Sequence, residues 1–142
     1  MIVKVKRLVP QAKIPKIEHE GDAGFDLYSN EDATLLPMQR KLIGTGISIS
    51  FESGYEAQVR PKSGLAINDG ITLLNTPGTI DAGYRGEVKV IVINLGEKEY
   101  KIEKGKKIAQ VVFNKIEKPQ IIEAQELEAS SRGSGGFGST GL

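Results

Sequence analysis

Leu74-Asn75-Thr76-Pro77-Gly78-Thr79-Ile80-Asp81-Ala82-Gly83-Tyr84-Arg85-Gly86 sets one carboxylate and one phenol among turn-forming residues, with β-branched and apolar runs on both sides. Proline fixes φ and glycine accepts positive φ without steric cost, so Pro77-Gly78 and Ala82-Gly83 each predict a turn. Thr79-Ile80-Asp81 then becomes a very short strand, and the whole reads as a β-hairpin that holds Asp81 rigidly. A carboxylate so placed serves either as a general base or as a turn residue bonded to its own backbone.

Outward from the hairpin the chain continues in strands. Glu87 to Leu95 is apolar on both faces from Val90 on, which predicts a strand buried on both sides. Tyr100-Lys101-Ile102 is a short strand, Lys107 to Phe113 a second core strand, and Pro119 to Leu127 a last short one. Upstream, Tyr55 to Arg60 is a strand, and Lys41 to Ser50 is a long one whose latter half alternates strictly. Gly44 and Gly46 there mark a bulge or a close backbone contact. Met1 to Leu8 alternates as a half-buried strand. The best helix candidate, Arg60 to Gly70, spans about two turns, with Ser63 at its N-cap and Gly70 as its stop. The fold class is therefore all-β, one domain over residues 1–128, followed by a Gly-rich arm at 129–142.

The totals bound the function. A chain of 142 residues makes one domain with a substantial core, without a stretch apolar enough to span a membrane or a signal peptide, so a cytoplasmic protein is expected. No Cys and a single His exclude disulfides, thiolate zinc sites and histidine metal clusters, so any metal must be hard and oxygen-bound. His19, between Glu18 and Glu20, reads as a solvated loop residue. A net charge of +1 gives no broad electrostatic footprint for nucleic acid.

Four further segments carry chemistry. Asp22 and Asp26 lie four apart around a Gly. They either anchor Mg²⁺, directly or through its waters, or form an Asx-turn leading into a strand. Lys62-Ser63-Gly64 at a helix start is a natural phosphate cradle, or an ordinary cap beside a solvated lysine. Gln110 is a neutral amide in an apolar strand and needs partners, in the protein or in a ligand. The arm carries five Gly between Gly133 and Gly141 and has almost nothing to bury. Its G-x-G-x-x-G from Gly133 to Gly138 lacks the strand and helix that a dinucleotide site requires, and Ser139 follows where a P-loop needs Lys. What remains is a flexible segment offering amides and Arg132 to phosphate and Phe137 to a base.

Five ordered stretches resemble the homotrimeric deoxyuridine triphosphate nucleotidohydrolases: Ala23 to Leu27, Arg60 to Ala66, Asn75 to Gly86, Gly105 to Gln110, and Arg132 to Gly141. The resemblance implies a jelly-roll-like β-domain, a homotrimer with active sites at subunit interfaces, Mg²⁺, and hydrolysis of dUTP to dUMP and pyrophosphate. By the same resemblance Asp81 activates water for attack on the α-phosphorus. Tyr84 packs against deoxyribose and excludes a 2′-hydroxyl, while Asn75 and the backbone of Gly78, Thr79 and Ile80 read uracil. Lys62, Ser63, Gly64 and Gln110 contact phosphates, and Lys89 joins the substrate-binding set. Asp26 holds Mg²⁺ through water, and Arg132, Phe137, Gly138, Ser139 and Thr140 close over the nucleotide. Lys62 and Lys107 stand where Arg is frequent in that family, and Lys cannot make the bidentate fork of a guanidinium. Two rivals are a related deoxycytidine triphosphate deaminase and a non-catalytic barrel that binds single-stranded nucleic acid. The second would want several exposed aromatics in a basic groove.

Overall fold

The computed structural model describes residues 1–141. The final arm residue, Leu142, lies outside the described residues. In chain order the elements are β1 (Lys4–Arg7), β2 (Phe25–Tyr28), β3 (Ala33–Leu35), β4 (Arg40–Gly44), β5 (Ile47–Ser50), β6 (Tyr55–Arg60), α1 (Ser63–Asp69), β7 (Ile71–Leu73), β8 (Gly78–Asp81), β9 (Lys89–Asn94), β10 (Tyr100–Ile102) and β11 (Lys107–Lys115). Every strand pairing is antiparallel. The order β2-β11-β6-β8 makes one sheet and β4-β9-β7 the other main one, with β1-β5 and β10-β3 as two-stranded ribbons. Spatial neighbours far apart in sequence, such as β2 with β11, are what an all-β jelly roll requires, and this is the expected fold class.

Alternation decides what each sheet buries. In the four-stranded sheet Leu27, Ala57, Val59, Ala109 and Val111 point inward, where they share one core with Ile43, Ile71, Leu73, Val90 and Val92 of the three-stranded sheet. Phe113 closes one end of that core edge-on to Phe25 and Phe51, with ring centroids at 6.1 and 5.5 Å. Phe51 is buried and the other two rings partly so; full burial of a side chain of this size contributes about 1.5–3 kcal/mol. The outward residues of the same sheet include Asp26, Glu56, Gln58, Arg60, Thr79, Asp81, Gln110 and Asn114, with Val112 an apolar member opposite Gln58. The face opposite the core is therefore largely polar and carries most of the candidate site.

Three expectations about elements change. The stretch around Asp81 is not a paired hairpin, because β7 joins β9 in one sheet and β8 joins β6 in the other. Residues 74–77, with a cis Thr76–Pro77 peptide, carry the chain between them, and Asp81 is held by β6 instead. The long strand from Lys41 to Ser50 breaks at Thr45-Gly46. Gly46 takes φ 72° there, and a Cβ would stand 2.9 Å from the Ala12 methyl, so the expected close approach is real but divides the strand. Pro119 to Leu127 forms no strand, because no sheet edge of this chain takes it as a ladder partner. It leaves Ile121 91 % and Leu127 86 % exposed.

Candidate active site

Asp81 ends β8 directly across from Glu56 of β6. Its backbone carbonyl accepts the Tyr84 N–H at 3.0 Å and so closes the turn through Ala82-Gly83. Its carboxylate is exposed and makes no hydrogen bond or ion pair with another described residue. Of the two uses open to this Asp, bonding to its own backbone is therefore not taken up by the side chain. The Tyr84 phenol donates to the Glu87 carbonyl at 3.0 Å, and its ring lies so close over Gly86 that a Cβ there would sit 2.3 Å from the phenol oxygen. Gly78 is buried beneath the Asn75 amide, whose nitrogen would be 3.2 Å from a Cβ. Together Asn75, Thr79, Ile80, Asp81, Tyr84 and Lys89 line a cleft of about 300 Å³.

The floor of that cleft was not anticipated. Val90 and Val92 enter the core, but the opposite face of β9 leaves Ile91 half-exposed beside Leu42, and both line the cleft under Asp81 and Tyr84. The expectation that this strand is buried on both sides holds for Ile93 and fails at Ile91. Glu87 also lines the cleft, paired with Lys89 at 3.6 Å, so an apolar floor with an amide, a phenol and the unpaired Asp81 carboxylate above it suits a flat, partly polar ring system.

The second group of residues gathers at the other end of the same sheet. Asp26, on β2, is 2 % exposed and level with Gln110 of β11, which is level with Arg60 of β6. Its Oδ1 accepts from the Lys62 ammonium, and its Oδ2 from Lys107 at 2.8 Å. Burial alone would raise the Asp26 pKa. The Lys107 and Lys62 ammonium groups outweigh that and hold the carboxyl below the usual carboxylate range, so it is an anion at neutral pH. The same contact with Asp26, followed by one to Glu18, pushes the Lys107 pKa up. Gln110 donates its amide to the Pro61 carbonyl at 2.9 Å. Its oxygen packs so tightly on Gly24 that a Cβ would come within 2.1 Å. The interior amide is thus half satisfied by protein.

Ser63 is not the helix cap. Lys62 keeps an extended backbone, φ −98° and ψ 127°, and its carbonyl takes the first helical bond from Ala66, so Lys62 is the cap, the helix begins one residue earlier than expected, and Ser63 sits inside its first turn. No side chain caps that turn, which leaves the amides of Ser63 and Gly64 for an outside acceptor. Asp22 closes a turn, though not the expected Asx-turn into the strand: its Oδ2 reaches back to accept the His19 N–H at 2.9 Å, and it does not pair with Asp26. Glu18, Asp22, Gly24, Asp26, Arg60, Lys62 and Gln110 enclose a cavity of about 290 Å³. Glu18 had no assigned role, and its partner lies 89 residues away, beyond any local signal.

Among the described residues no three His, Cys, Asp or Glu side chains gather to hold a metal. The one buried acidic side chain among the described residues, Asp26, already accepts from two lysines. That donor set fits Mg²⁺ only if the ion arrives with phosphate and water ligands and meets Asp26 through a water, as its reluctance to dehydrate allows.

The two clefts share no lining residue. Asp81 is four residues down β6 from the level of Arg60 and three strands across from Asp26, which puts the two acids roughly 20 Å apart at standard strand spacings. Between them runs a polar row: Arg60 donates twice to Gln58 Oε1, at 3.1 and 2.7 Å, and Gln58 donates to Glu56 Oε1 at 2.6 Å. The arm joins neither cleft. The hydrogen bonds of its described residues stay within it, Arg132 donating to the Gly135 carbonyl at 2.8 Å, and Phe137 is fully exposed.

Comparison with known proteins fits this arrangement. A family model described as dUTPase matches residues 10–141. A deoxyuridine 5′-triphosphate nucleotidohydrolase of Clostridium kluyveri is 57% identical over 141 residues, covering 99% of each chain. Among solved structures, a mutant dUTPase of Staphylococcus bacteriophage 80alpha with dUpNHpp superposes with a TM-score of 0.91 at 29% identity, covering 99% of each chain. A mutant dUTPase from phage phi11 of S. aureus, described with a structural Mg(II) ion, gives a TM-score of 0.83 at 25% identity over 91% of this chain and 100% of that one. With nearly its whole length matched by the family model and by a relative of more than half identity, the chain belongs to the dUTPase family.

Proposed function

We propose that this chain hydrolyses dUTP to dUMP and pyrophosphate as a cytoplasmic homotrimer, each active site drawing on more than one chain. The observation that carries the catalytic assignment is the Asp81 carboxylate: its backbone is held by β6 at the end of β8, and the carboxylate is engaged by no other described residue. It accepts a proton from a water that attacks the α-phosphorus. The new P–O bond forms as the bond to the bridging oxygen breaks, and the electron pair leaves with pyrophosphate. Asn75 and the backbone from Gly78 to Ile80 meet the uracil edge, Ile91 and Leu42 lie beneath the nucleoside, and the Tyr84 ring stands where a 2′-hydroxyl would project. At the other end, Ser63, Gly64, Gln110 and Lys62 take phosphate oxygens, Asp26 holds the water shell of Mg²⁺, and Lys89 adds a cation near the sugar. Bound Mg²⁺ neutralises charge on the phosphates. Arg132, Phe137, Gly138, Ser139 and Thr140 close over the nucleotide from the arm at 129–142, leaving residues 1–128 as the body.

Sharing between chains is supported by the roughly 20 Å separation of Asp81 from Asp26, because a base acting on the α-phosphorus and a cradle for the same triphosphate must lie within a few ångströms of one ligand. It is supported also by the 117–128 segment, which joins no sheet and leaves Ile121, Ile122 and Leu127 exposed, and by an arm whose described residues bond to neither cleft of their own chain. No described helix is long and apolar enough to cross a membrane. Incubating the protein with each deoxynucleoside triphosphate and Mg²⁺ and resolving the products tests the assignment. Formation of dUMP and pyrophosphate from dUTP alone is expected. Release of ammonia from dCTP would instead identify a deaminase, and no turnover of any substrate would leave only a binding role.

A further inference from the structure

Resting on the assignment just given, the anion cavity contains one ionic partner without a role. The Lys107 ammonium lies between two carboxylates, Asp26 Oδ2 at 2.8 Å and Glu18 Oε1 at 2.5 Å. Glu18 comes from the connection before β2 and faces the same cavity as Asp26, Lys62 and Gln110. Lys107 itself lines the neighbouring cleft with Lys13 and Tyr28 and meets the cavity only through these two acids. The geometry points to Glu18 as a positioning residue for substrate binding, one that holds Lys107 behind Asp26 while Asp26 turns an oxygen to the hydrated cation of the incoming nucleotide.

The reason lies in the chemistry of the lysine. An ammonium is a point donor on a flexible four-carbon stem, and a single carboxylate fixes it poorly. Two carboxylates on different segments fix it well, using two of its three N–H donors, so the ammonium stays behind Asp26 even when one contact loosens. When a metal–triphosphate arrives, Asp26 must share its oxygens with the ion's water shell. Glu18 then keeps Lys107 from swinging out with the contact it loses. A structural role is a poor account of this pair: the Lys107 and Glu18 side chains are 39% and 53% exposed, and exposed ion pairs contribute little to folding. A guanidinium at 107 would differ, since its planar fork grips one carboxylate with two parallel N–H bonds and needs no second anchor.

The test is a double-mutant cycle on the full chain, read by calorimetric binding of dUpNHpp with Mg²⁺ and by the ¹H–¹⁵N correlation of immobilised lysine ammonium groups in the free protein. Glu18→Gln should weaken dUpNHpp binding about tenfold, the low end for loss of an outer partner of a metal site, and erase the Lys107 ammonium signal. In steady state the change should fall on KM more than on kcat. With Lys107→Arg in place, adding Glu18→Gln should weaken binding by less than about twofold relative to Lys107→Arg alone. Unchanged binding in Glu18→Gln, or an equal loss in both backgrounds, overturns the positioning role. Failure of the unmutated protein to bind dUpNHpp at all would instead overturn the functional assignment beneath it.

Discussion

Asp81 and Asp26 stand on the same polar face of one sheet, and their surroundings give them opposite characters. Asp26 is buried, fixed by two lysines and held as an anion. Asp81 is exposed, with its backbone fixed by β6 and its carboxylate unpaired. A base must be able to take up a proton, and an ion pair with two cations opposes that near neutral pH, so of the two acids it is Asp81 that we propose as the base. A carboxylate that organises phosphate and cation must stay charged whatever approaches it, which suits Asp26. The division of labour thus follows from pairing and burial, since the residue type is the same.

The sharpest way to break this comparison is to neutralise each acid in turn. Asp81→Asn keeps shape and removes proton acceptance, so turnover should fall roughly 10²–10⁴-fold while the melting temperature and the affinity for dUpNHpp stay near those of the parent chain. Removing residues 132–142 comes next: hydrolysis should drop on the order of 10²-fold through lost positioning, with thermal unfolding unchanged because the arm's hydrogen bonds are its own.

Asp26→Asn should behave in the reverse way. The Mg²⁺ concentration for half-maximal rate should rise about tenfold, and unfolding free energy at pH 7 should fall by about 1–3 kcal/mol as two lysines lose their anion. Because the folded-state pKa of Asp26 is depressed, its stabilisation is present above the ordinary carboxylate range and vanishes as pH falls through the lowered value. Denaturant titrations at pH 7 and pH 3 should therefore show the gap between parent and Asp26→Asn narrowing in acid. A constant gap would mean that the loss is one of packing. Tyr84→Ala sharpens the Asp81 side: the ratio of specificity constants for UTP over dUTP should rise about tenfold, within the range that steric discrimination of one small group gives.

Much of this was legible in the chain because it is local. The turn at Ala82-Gly83, the αL stop at Gly70, the core strand Lys107 to Phe113 and the composition of the arm are decided by neighbouring residues. The placement of β7 and β8 in different sheets was not legible, since a run of strand–turn–strand looks the same whether its strands pair with each other or with distant partners. Ile91 illustrates the same limit: an apolar residue on the outer side of β9 reads as core until the fold shows that a cleft lies over it. Pro119 to Leu127 has strand-like residues but no edge of its own chain to join. Glu18 was invisible because its meaning depends wholly on a lysine that long-range register brings beside it.

The claim that each site draws on more than one chain is tested most directly by mixing two defective chains. Chains lacking residues 132–142 have Asp81 without the arm, and full-length Asp81→Asn chains have the arm without the base. The arm's 14 residues, 129–142, span at most roughly 45–50 Å when extended, enough to reach a neighbouring subunit. After denaturing and refolding equal amounts together, random assortment should place an intact arm over an intact Asp81 from another chain in about one quarter of the sites, and dUTP hydrolysis should return to about that fraction of the parent rate. Mixed trimers confirmed by mass that show no more activity than the two defective proteins refolded separately would contradict the shared site.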